Sequence, residues 1–377
     1  MRREERPEKG DAMKFSLPKE NLLDELQLLQ GIVEKRNTMP ILANILMTVS
    51  ESEVELTGTD LEVGLRTHFG ADIQKPGAIT VNGKKIFEIV KSLPDGQTVS
   101  LELKGETIEI TAGESEFKIL CIAKEDYPQV PEAGFEKGIR LPLADVKAMI
   151  DRVYYAITQE QRYYLNGALL LLKNKHMELV STDGHRLSYT SKADDGIRVD
   201  KDMSVIVAKK TLSELRKFED ELVEFDLDES NLFFRVGART LISRIIESKF
   251  PNYQAVIPKD NPNLLSIPRE DLAGAIRRVS LLSAERSKGI KFYLEKNRMK
   301  LFSSNPEIGE ARDKLAVDYK GHDLEIGFNS QYLLDFLTST TSERVTFEIK
   351  DENSAVLLKP EAEEAIKNIY VLMPMKI

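Results

Sequence analysis

The sequence contains one cysteine, no tryptophan and four histidines among 377 residues. Lone Cys121 excludes an intramolecular disulfide and any cysteine-based metal cluster, as expected of a reducing compartment. Its surroundings, "FKILCIAKE", read as a strand with a structural thiol in preference to a reactive one. The histidines, His68, His176, His185 and His322, are scattered and make no metal-ligand spacing. No run approaches the roughly 18 to 20 apolar residues that a membrane span needs. The opening "MRREERPEKGDA" is charged but has no apolar segment to serve as a secretory signal, so a cytoplasmic protein with no membrane partner is expected. Phosphate-binding loops, G-x-G-x-x-G, H-E-x-x-H and G-x-S-x-G are all missing, which leaves no catalytic spacing, metal site or cofactor to expect. A formal charge of −9 argues against a surface that coats nucleic acid everywhere. Any DNA contact must come from a locally basic face.

What the chain does contain is a repeat. "VELTGTD" at 54–60, "MELVSTD" at 177–183 and "KLFSSNP" at 300–306 are each displaced by 123 residues. The same displacement relates "EDYPQV" at 125, "SKFPNY" at 248 and "VLMPMK" at 371, making Pro128, Pro251 and Pro374 equivalent. Each copy opens with a helical stripe spaced by three, four and seven residues. The stripes are Leu22, Leu26, Leu29 and Val33; then Val146, Met149, Ile150, Val153 and Ile157; then Leu272, Ala275, Ile276 and Val279. A second helix is expected at "GKKIFEIVKSL", "KKTLSELRKF" and "NSQYLLDFLTST". Period-two alternation, as in "TVSLELKGETIEITAG", "LVEFDLDESNLFFRVG" and "RVTFEIKDENSAVLL", predicts antiparallel strands.

The expected architecture is therefore α+β: three tandem copies of a unit with two helices packed on antiparallel sheet, at residues 13–137, 138–263 and 264–377. A period this long implies domains and not a solenoid. The segments "VPEAGFEKG" and "IPKDNPNLL" are the expected linkers. Residues 1–12 precede the repeat and are expected to be a disordered extension or the product of an upstream start.

"STDGHRLSYTS" brings Asp183, His185 and Arg186 together. It reads either as an acid/base pair or as a turn, since Asp-Gly favours positive φ and the repeat puts "TGTD" at the same place. The turn is favoured, leaving His185 and Arg186 as exposed recognition groups. Basic residues recur on equivalent helices: Lys84, Lys85 and Lys91; Lys209, Lys210, Arg216 and Lys217; Arg277 and Arg278. They are either ordinary solvated charges or one positive face for phosphates. "QRYYLNG" offers Tyr163 and Tyr164 beside Arg162, as core residues or as base-stacking groups. The ending "NIYVLMPMKI" is apolar where most tails are polar. It reads as a last strand stopped by Pro374, with an apolar remainder that can leave the sheet beside Pro251 and His185.

The three repeats, with "RYYLNG", "TDGHRL", "FPNY" and "YVLMPMKI" in that order, resemble the bacterial sliding clamp, the beta subunit of DNA polymerase III. The resemblance covers residues 13–377. It implies a homodimer joined head to tail into a six-domain ring, helices lining the hole, that slides on double-stranded DNA without reading sequence and is not itself an enzyme. It implies DNA contacts at Arg36, Lys84, Lys85, Gln159, Arg162, Tyr163, Tyr164, Lys209 and Lys210. It places a partner-peptide pocket at Leu165, Thr182, Gly184, His185, Arg186, Leu187, Pro251, Val256, Val371, Met373, Pro374, Met375 and Lys376. The implied partners are the catalytic subunit of DNA polymerase III, an ATP-dependent clamp loader, and other polymerases, mismatch-repair proteins and ligase carrying short linear motifs. Phe117 and Ile119 are expected to meet Leu281 and Leu282 of the second subunit, with Glu114 and Glu116 facing Arg312 and Lys314 in a polarity reversed from some clamps. Two other classes compete with this reading: an enzyme using Asp183 and His185, and a repeat scaffold that binds proteins but not DNA.

Overall fold

The computed structural model describes residues 13–33, 39–136, 138–158, 163–199, 201–362 and 365–377, and the Tyr163 side chain lies outside the description. The expectations for residues 1–12, Arg36, Gln159 and Arg162 fall outside it too. The six expected helices form: α1 Lys19–Leu29, α2 Gly83–Ser92, α3 Leu143–Val153, α4 Lys209–Leu215, α5 Arg269–Ser280 and α6 Ser330–Ser339. Every residue of the three opening stripes is buried. Asn82 and Asn329 cap α2 and α6, their side-chain oxygens accepting from Lys85 N in one case and from Gln331 N and Tyr332 N in the other.

Compactness cuts across the repeats. One unit runs to Leu143 and resumes over Ser213–Ile245; the other comprises Ala144–Leu212 and Ile246–Ile377. Sheet pairing explains the division. In the first unit, an eight-stranded antiparallel sheet joins Val63–Phe69 of the first repeat to Arg239–Arg244 of the second, with Leu241 opposite Leu65 and Ile242 opposite Gly64. A separate five-stranded sheet belongs wholly to the first repeat and ends on the edge strand Ser115–Leu120. α1 and α2 pack on each other in this unit.

In the second unit, a nine-stranded sheet joins Arg186–Ala193 of the second repeat to Ile366–Leu372 of the third, with Leu187 opposite Val371. A four-stranded sheet is built only from the third repeat and ends on Gly309–Ala316. α5 and α6 pack together over a core that includes Phe292, Phe328, Phe336, Phe347 and Tyr370. The Phe336 and Tyr370 rings stack at 5.2 Å.

The turn at 60–62 is strained. Leu61 holds φ +77° and is 45% exposed, where the equivalent residue of the next repeat is Gly184 at φ +90°. A side chain in this region meets a steric cost that glycine does not, while glycine gives up more chain entropy on folding. Leu61→Gly is therefore expected to stabilise the protein by roughly 0.5–1 kcal/mol, read as a raised urea midpoint with unchanged slope.

Candidate functional site

The residues expected to line the peptide pocket all belong to the second unit, and Gly184 and His185 among them lie on the turn after the strand His176–Thr182. Asp183 Oδ1 accepts from the amides of His185 at 3.0 Å and Arg186 at 3.1 Å. Thr182 Oγ1 accepts from Gly184 N at 3.1 Å and donates to the Arg186 carbonyl at 2.6 Å. The Asp183 carboxylate is thus committed to holding a turn, as the Asp-Gly signal indicates, and His185 projects outward from it, exposed.

Arg186 corrects the expectation of exposure. It is only 9% exposed. Its Nε donates to Asp183 Oδ2 at 3.0 Å, Nη1 to Asp335 Oδ2 at 2.6 Å and Nη2 to the Tyr155 carbonyl at 2.5 Å. The guanidinium lies 4.1 Å from the Tyr332 ring centroid and 5.4 Å from that of Tyr155. Planar and forked, it satisfies three acceptors at once, which the point charge of lysine cannot do. It braces the turn against α6 instead of meeting solvent. Tyr370, whose hydroxyl donates to the Tyr332 carbonyl at 3.0 Å, is buried beside this network, and burial pushes its phenol well above the ordinary tyrosine range. Removing one member strands a buried charge: Asp335→Ala is expected to cost about 3 kcal/mol, measured as a lowered urea midpoint. Nothing in the sequence pointed to Asp335 or Tyr155, which lie 149 and 31 residues from Arg186.

The floor is apolar. Leu165, Leu187 and Val371 share one buried cluster with Leu169, Phe250 and Tyr253. Pro251, Val256 and Met373 form exposed points around it, Met373 being 43% exposed. Strand pairing carries the tail to Leu372, and Met373 N then donates to the His185 carbonyl at 3.0 Å. Pro374, with no amide hydrogen, interrupts the ladder.

Beyond it the tail departs from the expectation that it simply leaves the sheet. Met375 N donates to the Gly327 carbonyl at 2.9 Å, and Ile377 lies so close to Gly289 and Gly327 that a Cβ on either would come within 3.0 and 2.9 Å of it. The apolar ending is thereby fastened to the four-stranded sheet, and only part of it remains for a ligand. Lys376 is exposed, with Pro374 and Met375 half-buried.

Among the expected DNA contacts, Lys84 and Lys85 are exposed on α2, within 3.5 and 3.0 Å of the Glu88 carboxylate that they share. Lys209 is half-buried. Its ammonium donates to the Ile157 carbonyl at 2.9 Å and lies 5.1 Å from the Tyr154 ring centroid. Burial, then the nearby Arg186 charge, lowers its pKa. Tyr164 is exposed and Lys210 half-buried.

Of the expected subunit contacts, two lie on a strand that is an edge among the described residues and two follow a helix. Phe117 and Ile119 are half-buried on Ser115–Leu120, beside Leu120 at 79% exposure. Leu281, 78% exposed, follows α5 and precedes the half-buried Leu282. Within the chain, Glu116 is paired with Lys118 at 3.1 Å and Arg312 with Glu310 at 2.9 Å.

Comparison with known proteins accounts for nearly the whole chain. The family descriptions "DNA polymerase III beta subunit" match as N-terminal, central and C-terminal domains over residues 13–131, 140–252 and 254–376. A beta sliding clamp of Pseudomonas putida is 36% identical over 370 residues, spanning 97% of this chain and 100% of that one. The Escherichia coli K12 beta sliding clamp is 33% identical over 373 residues with the same coverage. A crystal structure of the DNA polymerase III subunit beta from Pseudomonas aeruginosa superposes with a TM-score of 0.91 at 36% identity, covering 97% of this chain and all of that one. Full-length matches in sequence and fold, with all three domains in order, place this chain in the DNA polymerase III beta subunit family, the bacterial sliding clamps.

Proposed function

We propose that two copies close head to tail into a ring around duplex DNA, giving the non-catalytic processivity clamp of this family its grip without sequence preference. One observation carries the closure. The strand Val63–Phe69 pairs with Arg239–Arg244, and its equivalent one repeat later, Arg186–Ala193, pairs with Ile366–Leu372. The third equivalent, Gly309–Ala316, is an edge among the described residues, and so is Ser115–Leu120. Repeating the pairing a third time requires Ser115–Leu120 of another copy, a head-to-tail contact that two subunits close. Leu281, Leu282, Phe117 and Ile119 supply the apolar part of this joint.

The three repeated units, 13–137, 138–263 and 264–377, then contribute six domains to the ring. Lys84, Lys85, Lys209 and Lys210, with Arg36, Gln159, Arg162, Tyr163 and Tyr164, are the proposed DNA contacts. Weak contacts to phosphates suit a ring that must slide. The pocket from Leu165 to Lys376 receives short linear segments of the polymerase catalytic subunit, the clamp loader, other polymerases, mismatch-repair proteins and ligase, its Met373 and Met375 adapting to each.

The topological claim has a direct test. Loaded protein is expected to stay on closed circular DNA at a salt concentration that strips simple phosphate binders, and to be lost once the circle is cut. Equal loss from both forms would defeat it.

A further inference from the structure

We infer that the first unit carries a second peptide-docking groove, between the turn at 60–62 and the end of the strand Arg239–Arg244, for a short extended segment with one apolar side chain beside an acidic one. The inference rests on the reading of the C-terminal pocket given above, because the groove repeats that pocket's construction one repeat earlier.

The two sites share their backbone geometry bond for bond. Thr59 Oγ1 accepts from Leu61 N at 3.0 Å and donates to the Val63 carbonyl at 3.1 Å, as Thr182 does for Gly184 and Arg186. Asp60 Oδ1 accepts from Glu62 N at 2.9 Å and Val63 N at 2.7 Å, as Asp183 does for His185 and Arg186. Arg244 N donates to the Glu62 carbonyl at 2.8 Å, as Met373 N does to His185. Ile242 opposite Gly64 corresponds to Val371 opposite Leu187.

What differs is the chemistry of the rim. Leu61 stands where the other turn has Gly184 and Glu62 where it has His185, while Arg244 matches Met373 by strand pairing and not by the 123-residue displacement. The result is an open groove of about 370 Å³, with Gly64, Val130 and Ile242 along its floor. A methyl group at Gly64 would come 3.2 Å from Val130, so the glycine keeps space open where the other site has a leucine.

Two features select the occupant. Leu61 keeps an exposed apolar side chain at the groove in spite of its positive φ. Such strain collects where a side chain is held for a purpose. Arg244 is exposed, and its guanidinium has no partner among the described residues. With Glu62, Gln129, Ser230 and Asn231 also lining the groove, a planar guanidinium at the rim above the apolar floor of Val130 and Ile242 selects a carboxylate beside an apolar anchor. A clamp partner with two such segments would gain from binding both, the second event being intramolecular.

The test uses the full-length protein with isotope-labelled Leu, Val and Ile methyls, titrated with acetyl-Ser-Asp-Leu-Asp-Ser-amide to millimolar concentration. Saturable shifts are expected at Leu61, Val130 and Ile242. They should persist in a chain lacking Met373 to Ile377, and weaken about tenfold in Arg244→Glu, a surface change that leaves the fold intact. No saturable shift at these methyls, or a shift indifferent to Arg244→Glu, overturns the inference. The C-terminal pocket reports separately through Leu187 and Val180 methyls with a peptide from the polymerase catalytic subunit, so failure of that reading appears there and not at Ile242.

Discussion

Removing Met373 to Ile377 should abolish binding of a peptide from the polymerase catalytic subunit, weakening it by a hundredfold or more, while the protein remains dimeric. The truncation takes away Met373, an exposed point beside the apolar floor of Leu165, Leu187 and Val371. It also removes the Met375 bond to Gly327 and the Ile377 packing that hold the tail in place. Burying a methionine side chain on a ligand contributes roughly 1.5–3 kcal/mol, so losing Met373 together with the support of its neighbours exceeds the ~2.7 kcal/mol that a hundredfold change represents. Fluorescence anisotropy with a labelled peptide measures the loss, and sedimentation of the same sample checks the dimer. Met373→Ala should lie between wild type and truncation. Peptide affinity surviving the truncation would place the pocket elsewhere.

The second large effect is at the joint. A leucine 78% exposed at the end of a helix has no role in its own core, and Leu281→Asp should leave each chain folded while opening the ring. On the proposed contact with Phe117 and Ile119, a carboxylate at this position must be buried without a partner, a penalty of several kcal/mol. Dimer affinity should fall by a hundredfold or more in sedimentation, and retention on circular DNA should vanish with it. Glu116→Arg probes the charge arrangement at the same joint. If Glu114 and Glu116 meet Arg312 and Lys314 of the second subunit, reversing one of them puts like charges together, and tight wild-type dimerisation of this variant would refute the reversed-polarity interface. Because Glu116 and Arg312 each have partners within their own chain, the pairs must be exchanged on association. That exchange makes the interface sensitive to salt as well as to mutation.

Much of this protein was legible before any coordinates. The spacing of Leu22, Leu26 and Leu29, and of Leu272, Ala275, Ile276 and Val279, is a local property of helix geometry, and those residues are buried as the spacing demands. Asp183-Gly184 specified its turn for an equally local reason, the positive φ and the side-chain acceptor that such a turn needs. The 123-residue displacement made Pro128, Pro251 and Pro374 equivalent in the sequence, but strand pairing does not: Arg244, well before Pro251, bonds to Glu62 as Met373, immediately before Pro374, bonds to His185.

Tertiary structure alone decided which charges face solvent and which are bound into the fold. Arg186 and His185 are neighbours with equal claims as exposed recognition groups, yet one is locked between Asp183, Asp335 and two tyrosine rings while the other faces outward. Lys209 and Lys84 occupy the starts of corresponding helices, but the first is half-buried and donates to the Ile157 carbonyl while the second is exposed beside Glu88. Burial and pairing depend on residues far away in the chain, and no local pattern encodes them. The same holds for the division of the second repeat between two large sheets, which follows from edge-to-edge hydrogen bonding that closes only when distant strands meet. The sequence by itself determined the repeated unit, because helix stripes, strand alternation and turns are written in neighbouring residues; how the copies share their sheets, and which edges are left for another chain, was settled by contacts between residues more than a hundred positions apart.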